Sequence, residues 1–220
     1  MITPALSPLQ QKARRITALL KEAYPQALCS LEAQTPFQLL VATRLSAQCT
    51  DARVNLITPA LFAAYPTPEM MAQAKVETIE AMIRSCGFFR TKARDLIALS
   101  RELCERHSGE VPASMEALTA LSGVGRKTAN LILGDVFGLP AVVADTHVIR
   151  ITNLLGLTCR KEPEQVEAQL RALLAPEESN NFCHRIVLHG RAVCVARRPQ
   201  CAVCVLKEDC SFLAQAGKIS

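Results

Sequence analysis

The sequence predicts an all-α protein of about ten helices joined by short loops. Three observations carry this expectation. Apolar residues recur at helical spacing along nearly the whole chain. Ser7-Pro8, Thr35-Pro36 and Thr67-Pro68 each place a hydroxyl at an N-cap and a proline at the first helical position. No run alternates with period two over a useful strand length. Half of the 220 residues are apolar and only 4% are aromatic. The core should therefore be aliphatic, and the chain is long enough for one large domain or two small ones.

Behind Ser7-Pro8, the stripe Ala13, Ile16, Leu19, Leu20, Ala23 marks the first helix. Similar stripes run through 37–46, 52–64, 76–85, 92–105, 114–121, 126–137, 146–155, 164–174 and 182–193. Ala141 to Ala144 is apolar but short and is expected to be an extended connector. Two compact lobes fit this order, and periodicity leaves their boundary open.

The net charge of +5 permits a polyanionic partner without establishing one. The opening MITPALSPLQQKARR lacks the apolar core of a secretory signal. Runs such as Leu39 to Ala42 are too short to span a bilayer. A cytoplasmic protein with no membrane partner is expected. Ten cysteines in a reducing setting argue against structural disulfides. Six of them (Cys29, Cys49, Cys86, Cys104, Cys159, Cys183) show no ligand spacing and are expected as small buried apolar residues.

Leu121 to Leu131, LSGVGRKTANL, joins two stripes through Gly123 and Gly125. Two glycines permit positive φ, so helices can reverse over a few residues. Such a turn aims backbone N–H groups outward at a helix N-terminus, a natural phosphate cradle. Gripping phosphate alone would hold DNA of any sequence. A nucleotide P-loop needs Lys directly after its second Gly and a preceding strand; here Arg126 follows Gly125 and no strand precedes. A purely structural hairpin and a helix-hairpin-helix DNA clamp remain.

Asp145-Thr146-His147 lies beyond the second helix. Arg126 to Gly138 rises about 18 Å at ~1.5 Å per residue. Gly138 to Asp145 reaches at most about 23 Å, so an extended return could bring Asp145 beside Lys127. Asp145 is also the natural N-cap of the helix over 146–155, where the dipole keeps a carboxylate ionised and positioned. Lys127 is on the first turn of its helix, where the dipole disfavours an ammonium, and packed neighbours should disfavour it further. Such an amine is suited to Schiff-base chemistry. Physics alone does not separate that role from holding phosphate.

Cys194, Cys201, Cys204 and Cys210 read C-x6-C-x2-C-x5-C within seventeen residues. Four thiols this close imply a metal site. Four-cysteine zinc is the generic alternative, but zinc ribbons mostly use two CxxC pairs and this segment has one. The asymmetric spacing suits a [4Fe–4S] cube at least as well. The first loop carries Arg197 and Arg198, which a pinned loop would present to a phosphate backbone.

LSGVGRKTAN, ADTH and LHGRAVC-x6-C-x2-C-x5-C together resemble endonuclease III, the bifunctional DNA glycosylase family of base excision repair, and LSAQCTD at 45–51 matches a further signature. The resemblance covers nearly the whole chain. It implies two all-α lobes: a six-helix barrel at about 29–139, containing the helix-hairpin-helix at about 114–138, and a [4Fe–4S] lobe built from about 1–28 and 140–220. It implies double-stranded DNA with damaged bases or abasic sites as partner, bound by a monomer in the cleft between the lobes.

By the same resemblance Lys127 is the nucleophile and Asp145 the catalytic carboxylate. Gln48 fills the gap left by a flipped base. Phe88 takes the place of an apolar wedge, usually leucine. Gly123, Val124, Gly125 and Arg126 grip phosphate. Ser122 stands where the family has proline, which should loosen the clamp. An adenine-mispair glycosylase of the same superfamily lacks a lysine at the position of Lys127 and carries a long extra C-terminal domain. A non-catalytic DNA-binding relative would not be expected to keep both catalytic positions.

Overall fold

The computed structural model of the chain describes residues 6–216. Its α-helices, in order, are α1 (Pro8–Ala23), α2 (Pro36–Ser46), α3 (Asp51–Ala64), α4 (Pro68–Ala72), α5 (Val76–Met82), α6 (Phe89–His107), α7 (Met115–Thr119), α8 (Arg126–Asp135), α9 (Thr146–Leu155), α10 (Pro163–Leu173), α11 (Ser179–Ala192) and α12 (Ser211–Ala216). Short 3₁₀ turns precede α11 and α12, and no strand occurs among the described residues. No described helix is long and apolar enough to cross a membrane.

The helix starts follow their sequence signals. Ser7 and Gln10 form a reciprocal capping box, with Ser7 Oγ accepting from the Gln10 amide at 3.2 Å and Gln10 Oε1 accepting from the Ser7 amide at 3.0 Å. Thr35, Thr50, Thr67 and Ser114 cap α2, α3, α4 and α7 through their hydroxyls. The first of two helices without a stripe of its own is α4, announced only by Thr67-Pro68. The second, α12, is six residues long, too short to show a period.

The contacts divide the chain into two compact units: Cys29–Gly138, and Met1–Leu28 with Leu139–Ser220. In the first, α2 is buried almost all round, through Phe37, Leu39, Leu40, Val41, Ala42, Thr43 and Leu45. It packs against α3, α6 and α8, while α6 also covers α4 and α5. A helix apolar on every side belongs inside a bundle, and each fully buried leucine contributes about 1.5–3 kcal/mol. Lys92 of α6 is also fully buried. Its ammonium donates to the Leu45 carbonyl at 2.7 Å, satisfying an orphan acceptor in the last turn of α2. Burial pulls its pKa below the ordinary lysine value.

In the second unit α1 packs on α10 and α11, and α9 on α11 and α12. Ala141 to Ala144 is extended, as expected, and buried. Glu178 ties α1 to α11: Lys21 Nζ and Arg185 Nη1 each donate to it at 2.7 Å. These two bonds, that from Lys21 first, hold its carboxyl below the usual range. A depressed carboxylate stabilises the fold above its unfolded pKa, and the benefit is lost as pH falls through the folded value. Glu178→Gln should therefore lower the thermal midpoint by about 2 °C at neutral pH. Wild type and variant should converge in acid, as a pH series of melting curves would show.

Cys86 and Cys183 are buried apolar residues as expected, and burial pushes the Cys183 thiol up to about 12. Cys29, Cys49 and Cys104 are only half-buried, and Cys159 is exposed, its sulfur accepting from Gln169 Nε2 at 3.4 Å; these four depart from the expectation.

Candidate functional site

The α7–α8 turn is held by side chains that no local pattern announces. Gly123 has φ 73°, and a Cβ there would meet Arg44 Nε at 2.5 Å and Asp95 Oδ2 at 2.8 Å. Only glycine fits a left-handed backbone pressed onto that ion pair. Arg44 of α2 donates to Asp95 of α6 through Nε at 2.9 Å and also through Nη2, so the turn rests on a brace between two barrel helices. Gly125 does not use the positive φ that glycine permits. Its φ is −94° and its ψ 174°, and a Cβ there would meet nothing within 4 Å.

Val124 lies inside the turn. Its amide donates to the Leu121 carbonyl at 3.1 Å and its side chain is buried. That N–H closes the turn.

The Ser122 amide donates to Glu102 Oε2 and its hydroxyl to Glu102 Oε1, both at 2.7 Å. Proline has no amide to offer and would stiffen the turn through its ring; here a carboxylate of α6 clamps it from outside. Glu102→Ala should cost about 1 kcal/mol by leaving the Ser122 amide without its acceptor. Ser122→Pro should also destabilise, because it removes both donors. Thermal melts of the two variants check this.

Gly125 is the N-cap of α8 and has no side chain to cap it with. Arg126 and Lys127, on the first turn, are exposed. The expected packing around Lys127 is therefore not supplied; the amine faces solvent. Asp145, in the other compact unit, caps α9 as expected: Oδ1 accepts from the Val148 amide at 2.8 Å, and the Asp145 amide donates to Val143 at 2.9 Å. The helix dipole favours the anion there.

Gln48 and Phe88 are brought together. The Gln48 carbonyl lies 3.4 Å from where a Cβ on Gly87 would stand, so their turns abut. Both residues are non-glycine with positive φ, 53° and 57°. Strain of this kind costs of order 1 kcal/mol or more per residue and persists where the surroundings enforce it. Phe88 is 67% exposed and so is not a core aromatic. Its neighbour Phe89 is half-buried, with the Arg90 guanidinium 5.5 Å from the ring centroid.

The four C-terminal cysteines line one apolar cavity of ≈ 300 Å³, together with Leu154, Leu206 and Phe212. No three His, Cys, Asp or Glu side chains among the described residues group closely enough for one metal ion. A cube spreads its ligands over four irons, and four thiols around one roomy cavity fit that arrangement.

Two partners of these sulfurs, and a tyrosine behind one of them, are invisible to spacing. Arg150 of α9 donates to the Cys194 carbonyl at 2.6 Å and to its sulfur at 3.5 Å. His189 Nε2 lies 3.5 Å from Cys204 Sγ, and the Tyr24 hydroxyl lies 3.1 Å from His189 Nδ1. Burial first, then Arg150, lowers the His189 pKa, favouring the neutral ring. A neutral ring carries one N–H, and its tautomer decides whether Tyr24 or Cys204 receives it. Arg197 and Arg198 are exposed on the loop that the Gln200 amide closes onto the Val193 carbonyl at 2.9 Å.

Residues 41–176 match the model of the HhH-GPD superfamily of base excision DNA repair proteins, and residues 194–210 that of the iron–sulfur binding domain of endonuclease III. The second match begins and ends on cysteines of the cavity, and the cofactor is a [4Fe–4S] cluster. The chain is 49% identical over 202 residues to endonuclease III of Synechocystis sp., spanning 91% of this chain and 92% of that one. It is 40% identical over 203 residues to endonuclease III of Escherichia coli, spanning 91% and 96%. A solved structure of a trapped endonuclease III–DNA covalent intermediate matches with a TM-score of 0.88 at 39% identity, over 99% of this chain and 100% of that one. In sequence and in its all-helical fold, the chain belongs to the endonuclease III family of base excision DNA repair proteins.

Proposed function

We propose that this enzyme removes oxidised pyrimidines from duplex DNA and cuts the resulting abasic site by β-elimination, with Lys127 as nucleophile. The observation that carries this reading is the exposed Lys127 on the first turn of a helix whose N-cap, Gly125, has no side chain. The amides of that turn and Arg126 would hold backbone phosphate without reading sequence. Lys127 would then stand at the adjoining sugar.

The damaged base is flipped out of the stack, Gln48 filling its place and Phe88 wedging the neighbouring step. The Lys127 amine attacks C1′ and the base departs with the glycosidic electron pair. Asp145 stabilises the positive charge that develops on the sugar and handles protons. The Schiff base acidifies C2′, and loss of that proton expels the 3′ phosphate. Cys194, Cys201, Cys204 and Cys210 hold the cluster, which supplies a structural link that orders the Arg197–Arg198 loop toward DNA. The protein acts as a cytoplasmic monomer.

The test is incubation of the enzyme with duplexes carrying thymine glycol, an abasic site or no lesion, followed by borohydride. Base release, strand cutting and a trapped adduct on the damaged duplexes alone are expected. Base release without trapping would overturn the Schiff-base assignment, and inertness on every lesion would point to a DNA-binding protein without catalysis.

A further inference from the structure

Two thiols that the proposed chemistry does not use meet at the Gln48 and Phe88 turns. Cys49 Sγ lies 3.6 Å from Cys86 Sγ. Cys49 directly follows Gln48 between α2 and α3, and Cys86 precedes Gly87-Phe88 between α5 and α6. Neither belongs to a helix, so neither is held by a helical backbone. A disulfide needs sulfurs about 2.05 Å apart. Closure therefore asks for about 1.5 Å of sulfur movement, within reach of side-chain rotation and a small shift of either turn.

We propose that Cys49 and Cys86 form a reversible disulfide under a peroxide or other two-electron thiol oxidant, and that this bond staples together the turns bearing Gln48 and Phe88. Cys49 is half-exposed and Cys86 buried, which sets the order of events. The Cys49 sulfur attacks the peroxide, the O–O bond breaks, and a sulfenic acid and one water result. The Cys86 sulfur then attacks the Cys49 sulfur. The S–S bond forms, the S–O bond breaks, and hydroxide leaves with the Cys86 proton as a second water. The two thiols lose two electrons, and one peroxide becomes two waters. Burial, with the adjacent Cys49, pushes the Cys86 thiol up to about 11, while Lys92 and Arg53 pull the other way. Cys86 therefore acts as the resolving partner and not as the first target.

The consequence for DNA rests on the reading that Gln48 and Phe88 enter the duplex. Drawing the turns together displaces both by about an ångström, enough to slow incision about 10-fold.

The experiment treats the cluster-loaded full chain with diamide, an azo oxidant that takes two electrons and two protons from a thiol pair. Expected are a loss of two hydrogens in intact mass, a Cys49–Cys86 cross-linked peptide, and slower incision that dithiothreitol reverses. The cluster's visible absorption should stay unchanged. Cys49→Ser and Cys86→Ser should each abolish the cross-link and the oxidant sensitivity; Cys49→Ser, at the half-exposed member, decides the matter if Cys86→Ser does not fold. A glutathione-type mixed disulfide without the cross-link, or no cross-link with the cluster intact, overturns the proposal. A cross-link that leaves incision unchanged overturns its functional half. If the reduced enzyme fails to incise any lesion, the proposed activity fails, and the peptide cross-link still tests the thiol pair by itself.

Discussion

Lys127→Ala is expected to abolish the borohydride-trapped adduct on an abasic-site duplex and to reduce strand cutting at least ~10³-fold. The lysine is exposed and makes no described contact that the fold depends on. Its loss should change stability by no more than about 0.5 kcal/mol, so an unchanged melting curve would separate chemistry from folding. Asp145 needs a different substitution because it caps α9 as well. Asp145→Asn keeps an oxygen for the Val148 amide and removes only the charge. It should leave the melt nearly unchanged while slowing both base release and cutting. Persistence of a full-strength adduct in Lys127→Ala would move the nucleophile elsewhere.

Cys201→Ala is the second change with a large expected effect, this time on order. From residue 193 to 215 the only buried side chain is Leu206. The rest of that segment folds around the cysteine-lined cavity, which holds little else to pack on. A segment whose core is a metal group loses its fold with the group. The variant should purify with depleted iron and weak visible absorption, and trypsin should cut it rapidly at Arg197 and Lys207. The barrel unit has its own aliphatic core and should resist. Wild-type-like proteolysis of 193–215 in an iron-depleted variant would show that the cluster is not what orders it.

Local chemistry was legible in the sequence, and distant pairing was not. The caps at Ser7, Thr35, Thr67 and Asp145, the buried connector and the cysteine spacing are all short-range signals. Each depends on residues a few positions apart. The hairpin shows the limit. Gly123 was visible, but the Arg44–Asp95 brace that makes it obligatory joins residues 51 apart, and Ser122 finds Glu102 20 residues away. Counting Ser122 only as a missing proline led to an expected loosening, because nothing local says that a carboxylate waits across the turn. Lys92 was hidden for the same reason: an ammonium at helical spacing looks solvated until its acceptor, the end of another helix, is in place.

Gly125 allows one more conclusion. Its extended backbone and the open space around it would accept serine or aspartate at no steric cost. Either would cap α8 and add a few tenths of a kcal/mol. A programme of thermal improvement would choose this position early, and the added oxygen would occupy the very amides proposed to meet phosphate. The trade between robustness and turnover is thereby concentrated in a single missing side chain.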